Sequence, residues 1–246
     1  MTTTNQRSTS EVGHAKNVAN FQTLIEFCNT FNGYNPVNEL LTLTKLEEKH
    51  TESNDILQKV HAAKAEHIIA INQRQETFQT LSSLSTKIIN ALSSITNDSR
   101  IIADARTIVR KIQGSPSKPQ TDPSQEGQET QRPTSNSQRS FDKRTDHFSA
   151  LVILLKALPD YAPNEPELSI SSLDDYLKEL QRHNKNVLMK YTPYSSYLLA
   201  RNKILYDPLD GLTTIAKLVK QYVKSLYGAK SPQYDQIDAI EFKKYS

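Results

Sequence analysis

Apolar residues recur at helical spacing along most of the chain, and one such stripe occurs twice. The stretch FQTLIEFCNTFNGYNP begins at Phe21, and FSALVILLKALPDYAP begins 127 positions later at Phe148. In both stripes the apolar residues return every three or four positions, which is the spacing of one helix face. Both then reach a Tyr-x-Pro turn, which ends a helix because the residue before proline is pushed out of the α region. The pattern predicts first helices at about 16–31 and 142–158.

The two segments stay in register beyond this turn, at an offset of 127 positions up to residue 78. The pairs in register include Leu24 and Leu151, Phe31 and Leu158, Tyr34 and Tyr161, Pro36 and Pro163, Leu46 and Leu173, and Arg74 and Arg201. After residue 78 we expect a slip of one residue, absorbed in the loop YDPLDG, so that Leu81 matches Leu209. A shared apolar phase with a shared turn favours tandem duplication of one helical unit.

A long second helix is predicted in each half of the chain, with seam positions that alternate by four and three. The first seam holds Leu46, His50, Ser53, Leu57, Val60, Lys64, His67, Ile71, Arg74 and Phe78; the second holds Leu173, Leu177, Leu180, Asn184, Val187, Tyr191, Tyr194, Leu198, Arg201 and Leu205. This is coiled-coil spacing, although the polar members favour packing inside a bundle. Pro193 removes one backbone hydrogen bond from the second long helix, and we expect a kink there rather than a break.

Shorter helices follow each long one. Third helices are predicted from near 80 and near 208, the latter capped by Asp207 with Pro208 as its first helical residue. Final helices are predicted at about 99–112 and 232–244. The chain is therefore expected to be all-α, an elongated bundle of two tandem pseudo-equivalent helical units with coiled-coil-like long helices.

Two polar segments punctuate this pattern. Residues 114–140 contain four prolines and no Leu, Ile, Val, Phe or Tyr, so they bury too little surface to offset the entropy of ordering. We predict a disordered linker there and, on similar composition, a disordered tail over 1–15. The helical units then span 16–113, called the N-terminal half below, and 141–246, called the C-terminal half.

Composition narrows the function classes. A net charge of +3 over 246 residues is too small to indicate nucleic acid as a partner of the whole chain. The single cysteine, Cys28, excludes an intrachain disulfide, and its place on the apolar stripe predicts a buried thiol. The longest apolar run, ALVILL, is far shorter than the ~20 residues of a membrane-spanning helix, and no secretory signal is recognisable. We expect a cytoplasmic protein, with export without a signal left open.

One helix face carries a candidate anion-binding patch. Lys217, Lys220 and Lys224 follow one another at i, i+3 and i+7, with Lys230 beyond them and no acidic residue between 212 and 230. Tyr222 and Tyr227 interleave with the lysines. Such a face contacts phosphates or anionic lipid in some proteins, whereas in most amphipathic helices it is simply solvated. The N-terminal half does not repeat this patch.

Two pairs of polar residues recur at equivalent positions of the halves. Arg74 and Arg201 lie on the predicted seams, where they either fix the register or bind an anion. Tyr34 and Tyr161 precede the two prolines of the turns and are expected to pack the turn onto the bundle, with the hydroxyl near the surface.

Metal and catalytic constellations are sparse. Glu47 and His50 lie three positions apart on one helix face, but the second Glu-x-x-His pair of a di-iron bundle is missing, because Asp174 and Leu177 occupy the equivalent positions. No glycine-rich phosphate loop and no serine elbow occurs in the sequence. We expect no metal, no cofactor and no enzymatic activity.

Four longer stretches of the sequence, together with the polar linker, are similar to those of a known group of proteins. DARTIVRKIQG at 104–114, YAPNE at 161–165, ARNKILY at 200–206 and KSLYGAKSPQY at 224–234, with the polar linker, resemble an uncharacterised family of bacterial helical proteins. The resemblance implies the helical architecture and attaches no activity or cofactor. We therefore expect an interaction or scaffold protein that binds a protein partner or itself. The alternative is a nucleic-acid or anionic-surface binder that uses the face at 212–230.

Overall fold

The computed structural model describes residues 9–114 and 140–245, and all the regular secondary structure in these two ranges is helical. The predicted all-α class is therefore confirmed. The α-helices are α1 (Thr9–Thr30), α2 (Leu43–Gln79), α3 (Leu81–Ile95), α4 (Ser99–Gln113), α5 (Phe141–Lys156), α6 (Ile170–Tyr206), α7 (Leu212–Tyr227) and α8 (Pro232–Asp238). Short 3-10 turns, Glu39–Leu41 and Pro166–Leu168, precede the two long helices.

The first helix begins earlier than the sequence indicated. Residues 9–15 lie in α1, although the predicted tail covered 1–15. Tertiary packing explains this difference, because Gly13 and His14 are buried. Neither is a large apolar residue, so the composition of the segment did not indicate its burial. The rest of the predicted tail (1–8) and the interior of the predicted linker (115–139) lie outside the described residues.

The elements of the two halves correspond closely up to the end of the long helices. The 3-10 turns begin at 39 and 166, and α2 and α6 begin at 43 and 170, so both pairs are 127 residues apart. The two long helices have 37 residues each. Pro193 lies inside α6 without ending it. All predicted seam positions are buried or partly buried except Tyr191, which is 49% exposed.

The predicted one-residue slip after residue 78 is wrong. Leu209, expected to match Leu81, is 81% exposed in the loop, whereas Leu212 is fully buried. α3 begins at 81 and α7 at 212, an offset of 131, so the loop adds four residues to the earlier offset of 127. Asp207 does not cap α7; its Oδ1 accepts a hydrogen bond from the Leu209 amide at 2.9 Å within the loop. Gly211 occupies the N-cap position instead.

The compact units do not coincide with the two halves of the sequence. Unit A consists of Met1–Glu66 with Tyr191–Ser246, and unit B consists of His67–Lys190. Each unit therefore combines helices from both halves, since α2 and α6 contribute one end to each unit. A 37-residue helix is ~56 Å long, which is far more than one small hydrophobic core can cover.

Each unit has its own hydrophobic core. In unit A the core joins α1, the start of α2, the end of α6 and α7; its fully buried members include Phe21, Leu24, Leu46, Leu205, Leu212 and Val219. In unit B it joins α3, α4, α5 and the other ends of the long helices; its fully buried members include Leu81, Ile88, Phe148, Leu151, Leu173 and Leu180. Phe21 and Phe148, which open the two sequence stripes, are the largest fully buried side chains.

Candidate functional site

The predicted basic face of α7 is only partly available to a ligand. Lys217, Lys224 and Lys230 are exposed. The Nζ of Lys220 instead donates to the carbonyl oxygens of Asp238 at 3.0 Å and Ile240 at 2.6 Å. Burial lowers the pKa of Lys220, against the opposing effect of the Asp238 and Glu241 carboxylates. This lysine holds the end of α8 in place.

The aromatic residues of the same helix are also committed to contacts within unit A. The Tyr222 hydroxyl accepts a hydrogen bond from the Asn35 amide at 3.1 Å. The Tyr227 hydroxyl donates to the Asn32 carbonyl. Both tyrosines therefore anchor the turn that follows α1 through their hydroxyl groups.

The turn tyrosines make equivalent hydrogen bonds in the two units. The Tyr34 hydroxyl donates to the Leu41 carbonyl at 2.7 Å, and the Tyr161 hydroxyl donates to the Leu168 carbonyl at 3.2 Å. Burial raises the pKa of both tyrosines, that of Tyr161 to about 12. Each hydroxyl ties the turn to the 3-10 segment before the long helix. The two hydroxyls thus have the same structural role. The prediction that they lie near the surface is wrong, because both donate to carbonyl oxygens of the chain.

The recurring arginines lie in different units and have different neighbours. In unit B, the Arg74 guanidinium stacks over the Phe141 ring with its Cζ 4.0 Å from the ring centroid. In unit A, Arg201 is 95% buried, and its Nε and Nη2 donate to the Asn202 Oδ1 at 3.1 and 2.9 Å. Burial lowers the pKa of Arg74, and the Asp142 carboxylate opposes this. No single anion site brings the two arginines together within either unit.

Sequence reasoning missed a polar cluster on the inner face of α1. His14 and Asn17 are buried there, at 0% and 2% exposure. The His14 Nδ1 lies 2.6 Å from the Tyr206 hydroxyl, and the Asn17 Nδ2 donates to the same hydroxyl at 3.2 Å. Burial raises the pKa of Tyr206, while hydrogen bonds to Asn17 and to the backbone of Tyr245 oppose that shift.

The chain's C-terminal segment, residues 241–245, has no regular secondary structure and lies against this cluster. Asn17 pairs with the backbone of Lys243 in both directions: its Nδ2 donates to the carbonyl at 2.6 Å, and its Oδ1 accepts from the amide at 3.1 Å. One helical turn further along α1, the Asn20 Nδ2 donates to the Glu241 carbonyl at 2.7 Å. Two asparagines three positions apart thus hold the backbone of this non-helical segment.

Two aromatic side chains of this segment point toward α1. The Phe242 ring meets Phe21 edge-on with centroids 6.5 Å apart, and the Tyr245 ring meets His14 edge-on at 5.8 Å. Gly13 lies under the Tyr245 ring, where a methyl group would overlap it. The side chains of Glu241 and Lys243 are exposed. The contacts therefore involve the backbone and the two aromatic rings.

The equivalent face of α5 in unit B is occupied differently. Arg144 stands where α1 has Asn17, and its Nε donates to the Ile112 carbonyl in the last turn of α4 at 3.2 Å. Its Nη2 donates to the Phe78 carbonyl at 3.3 Å. A helix end fills this face in unit B, whereas α8 stops at Asp238 and a non-helical segment fills the face in unit A. No local sequence pattern pointed to the polar cluster on α1, because Gly13 and His14 lie in the polar stretch that was predicted to be a disordered tail.

The pair Glu47 and His50, the predicted candidate for metal binding, is not part of a larger cluster of ligands in the described ranges. Glu47 is exposed and His50 half-buried, and burial lowers the pKa of that histidine. Within 9–114 and 140–245, no group of three or more His, Cys, Asp or Glu side chains is placed to hold a metal ion. In the same ranges, no helix combines the length and hydrophobicity that crossing a membrane requires.

Comparison with known proteins adds no assignment. Neither a protein-family model, nor a curated protein, nor a solved structure matches the chain. The resemblance noted in the sequence therefore finds no support in these comparisons, and the all-helical fold is the part of it that the structure confirms.

Proposed function

We propose that this chain is a non-enzymatic interaction protein whose helical faces bind a protein partner or a second copy of the chain. The observation that carries the proposal is a set of exposed aliphatic side chains in unit B. Ile68 and Ile69 on α2 are 46% and 55% exposed, and Leu188 and Met189 on α6 are 65% and 56% exposed. Large aliphatic side chains grouped on a surface mark interaction sites more often than isolated ones do.

Contacts to α5 place these side chains within about one helical turn of each other along unit B. Arg74 meets Phe141, whose ring lies in the first turn of α5, and Asn184 donates to Thr145 in the next turn at 3.2 Å. Ile69 lies five residues before Arg74, and Met189 five residues after Asn184.

The directions of the helices in unit B then fix the position of the aliphatic set. α2 runs parallel to α5. Arg74 on α2 meets Phe141 on α5, and Phe78, four residues after Arg74, faces Arg144, three residues after Phe141. α6 runs antiparallel to α5, since Asp174 pairs with Lys156 while Asn184 meets Thr145. At 1.5 Å per residue, Ile69 lies ~7.5 Å beyond the start of α5 and Met189 lies ~1.5 Å beyond it, so the two residues are about one helical turn apart along the helix direction. This closeness supports the proposal that the aliphatic side chains of the two helices contribute to one surface.

We further propose that the two halves arose by tandem duplication. The identical lengths of α2 and α6, the constant offset of 127 residues and the paired tyrosine hydrogen bonds support this. In this interpretation, an ancestral unit paired with a second copy of itself, which agrees with the mixed composition of each compact unit.

The proposed function is tested by a double substitution, Ile69→Glu with Met189→Glu, in the full-length protein. If the wild type self-associates in sedimentation velocity, or retains a partner in affinity capture, the double variant is expected to lose that association by tenfold or more. Gln75→Glu, at an exposed position of the same helix α2, is the matched control and leaves binding unchanged. Wild-type protein that remains monomeric at high concentration and retains no partner sensitive to the double variant contradicts the proposal.

The second candidate function is binding to an anionic surface through α7. Three exposed lysines on or beside one helix, Lys217, Lys224 and Lys230, favour it. Three phosphate contacts predict that log K falls against log salt with a slope of about −2.7 for duplex DNA. Absence of binding to DNA and to anionic vesicles at low salt eliminates this candidate.

A further inference from the structure

We infer that the inner face of α1 is a binding groove for a short non-helical peptide with two aromatic residues three positions apart. In this structure the chain's own residues 241–245 occupy the groove. The inference deepens the proposed interaction function because it names a class of partner, a segment of the form Phe-basic-basic-Tyr. It concerns unit A alone, so its test is separate from that of the aliphatic surface in unit B.

The first support is that the contacts recognise backbone. Asn17 uses both its amide NH₂ and its amide oxygen on one residue, Lys243, and Asn20 adds a hydrogen bond to Glu241. A primary amide can donate through its NH₂ and accept through its oxygen at the same time. Extended peptides are commonly bound in this way, with main-chain hydrogen bonds for affinity and side-chain pockets for specificity. Hydrogen bonds to the backbone accept any sequence, so the aromatic residues carry the selectivity.

The second support is a pocket shaped for a ring. The absence of a side chain at Gly13 leaves the space that the Tyr245 ring fills, with His14 edge-on to it at 5.8 Å. Glycine inside a helix destabilises it relative to alanine. The pocket offers a local reason for a glycine at this position of α1. Phe242 occupies a second position between Phe21, at 6.5 Å, and the Lys220 ammonium, which lies 5.8 Å from its ring.

The third support is the contrast with unit B. There the equivalent face of α5 is covered by the end of α4, and Arg144 replaces Asn17. The end of a regular helix covers that face in unit B. In unit A a five-residue segment without helical structure covers it, held by hydrogen bonds from the two asparagines and by two rings. A short segment outside regular secondary structure opens locally at a lower free energy than a packed helix does, so a competitor replaces it more readily.

The test uses the full-length protein with its own segment released by Phe242→Ala and Tyr245→Ala. The probe is a fluorescent peptide of residues 238–246, DAIEFKKYS, followed by fluorescence anisotropy. The released variant is expected to bind the peptide at least ten times more tightly than the wild type, whose tethered segment competes at high effective concentration. The same peptide with alanine for both aromatic residues is the matched control and does not bind.

A third substitution locates the site. Gly13→Ala in the released variant fills the pocket and is expected to abolish peptide binding, while far-ultraviolet circular dichroism reports that the helices remain. Asn20→Ala, at a half-exposed position, is a milder change that lowers affinity severalfold and keeps the test valid if the alanine at 13 disturbs folding. Absence of peptide binding to a folded, released variant overturns the inference, and so does binding that neither substitution weakens.

The oligomeric state separates a partner from a second copy. The inference expects wild-type and released protein to have the same mass in sedimentation velocity, with the groove filled in cis. A wild-type dimer that dissociates when the aromatic residues are removed shows that the segment comes from a neighbouring chain, and it overturns the assignment to a partner peptide.

Discussion

At the scale of single residues, the chain uses polar side chains to fix its turns and buries its one thiol. Cys28 is 1% exposed beside Tyr34, and burial raises the pKa of its thiol to about 12, against a hydrogen bond to Tyr34 that opposes the shift. The thiol is therefore protonated at neutral pH and acts as a small hydrophobic side chain, as the sequence predicted.

Cys28 predicts a specific dependence of stability on pH. In the unfolded chain the thiol ionises above its ordinary pKa near 9, whereas in the folded chain it stays protonated to about 12. Between these values the folded state binds more protons, so the free energy of unfolding falls as pH rises. Urea unfolding from pH 8 to pH 11 is expected to show this fall, and Cys28→Ala to reduce its slope.

A reactivity measurement checks the same conclusion independently. Native protein at pH 8 is expected to react with a thiol reagent only as fast as it unfolds, and at once in denaturant. Rapid modification of the native protein contradicts the buried, protonated thiol.

At the scale of elements, the two turns between the first and second helices are built alike. In each, a tyrosine hydroxyl donates to a carbonyl seven residues further on, in the 3-10 segment before a long helix. The two 3-10 segments lie at equivalent positions because both halves contain the same sequence pattern, Tyr-x-Pro with a leucine five residues after the proline. Each long helix begins two residues after its 3-10 segment, so the tyrosine hydrogen bond helps to fix its start.

Removing either hydroxyl is expected to destabilise its unit by a similar amount. Tyr34→Phe and Tyr161→Phe each leave a carbonyl without its hydrogen bond, which costs about 1–2 kcal/mol. Urea denaturation of the two variants measures this. Tyr197→Phe, which removes a hydroxyl from a half-exposed ring of α6, is the control with an expected change below ~0.5 kcal/mol. Equal stability of all three variants with the wild type contradicts a structural role for the paired hydroxyls.

At the scale of the whole molecule, each compact unit is assembled from both halves of the sequence. Unit A joins α1 to the end of α6 through His14, Asn17 and Tyr206, and unit B joins α5 to the end of α2 through Arg74, Phe78 and Phe141. Neither half therefore contains a complete core. The segment between Gly114 and Ser140 connects two helices of the same unit, whose ends lie close together, since Arg144 reaches the Ile112 carbonyl.

Cutting this connection after folding is expected to leave the halves associated. A protease site inserted between 115 and 139 of the full-length protein allows the cut, and the uncut protein with the same insertion is the control. The two fragments should elute together in gel filtration, and their unfolding midpoint should become dependent on protein concentration, because unfolding now separates two chains. Fragments that separate at micromolar concentration contradict the assembly of each core from both halves.

The sequence by itself determined what depends on local periodicity. The apolar stripes around Phe21 and Phe148 placed the first helices, and the shared offset placed the long ones, because side-chain spacing dictates which face of a helix is buried. It also predicted that Cys28 would be buried, and that Tyr34 and Tyr161 would pack the turns. It failed at Leu209, where a loop of unpredictable length made a surface leucine look like the start of a helix.

Only the tertiary structure decided which partners these faces meet. The spacing of the seam residues in α2 does not predict that the two ends of the helix belong to different cores, because burial depends on helices that are distant in sequence. The position of the non-helical segment at Phe242 and its pocket at Gly13 could not be predicted from local sequence either, since five residues with two lysines have no periodicity of their own. Their conformation follows from backbone hydrogen bonds to Asn17 and Asn20, which form only when the two ends of the chain meet in unit A.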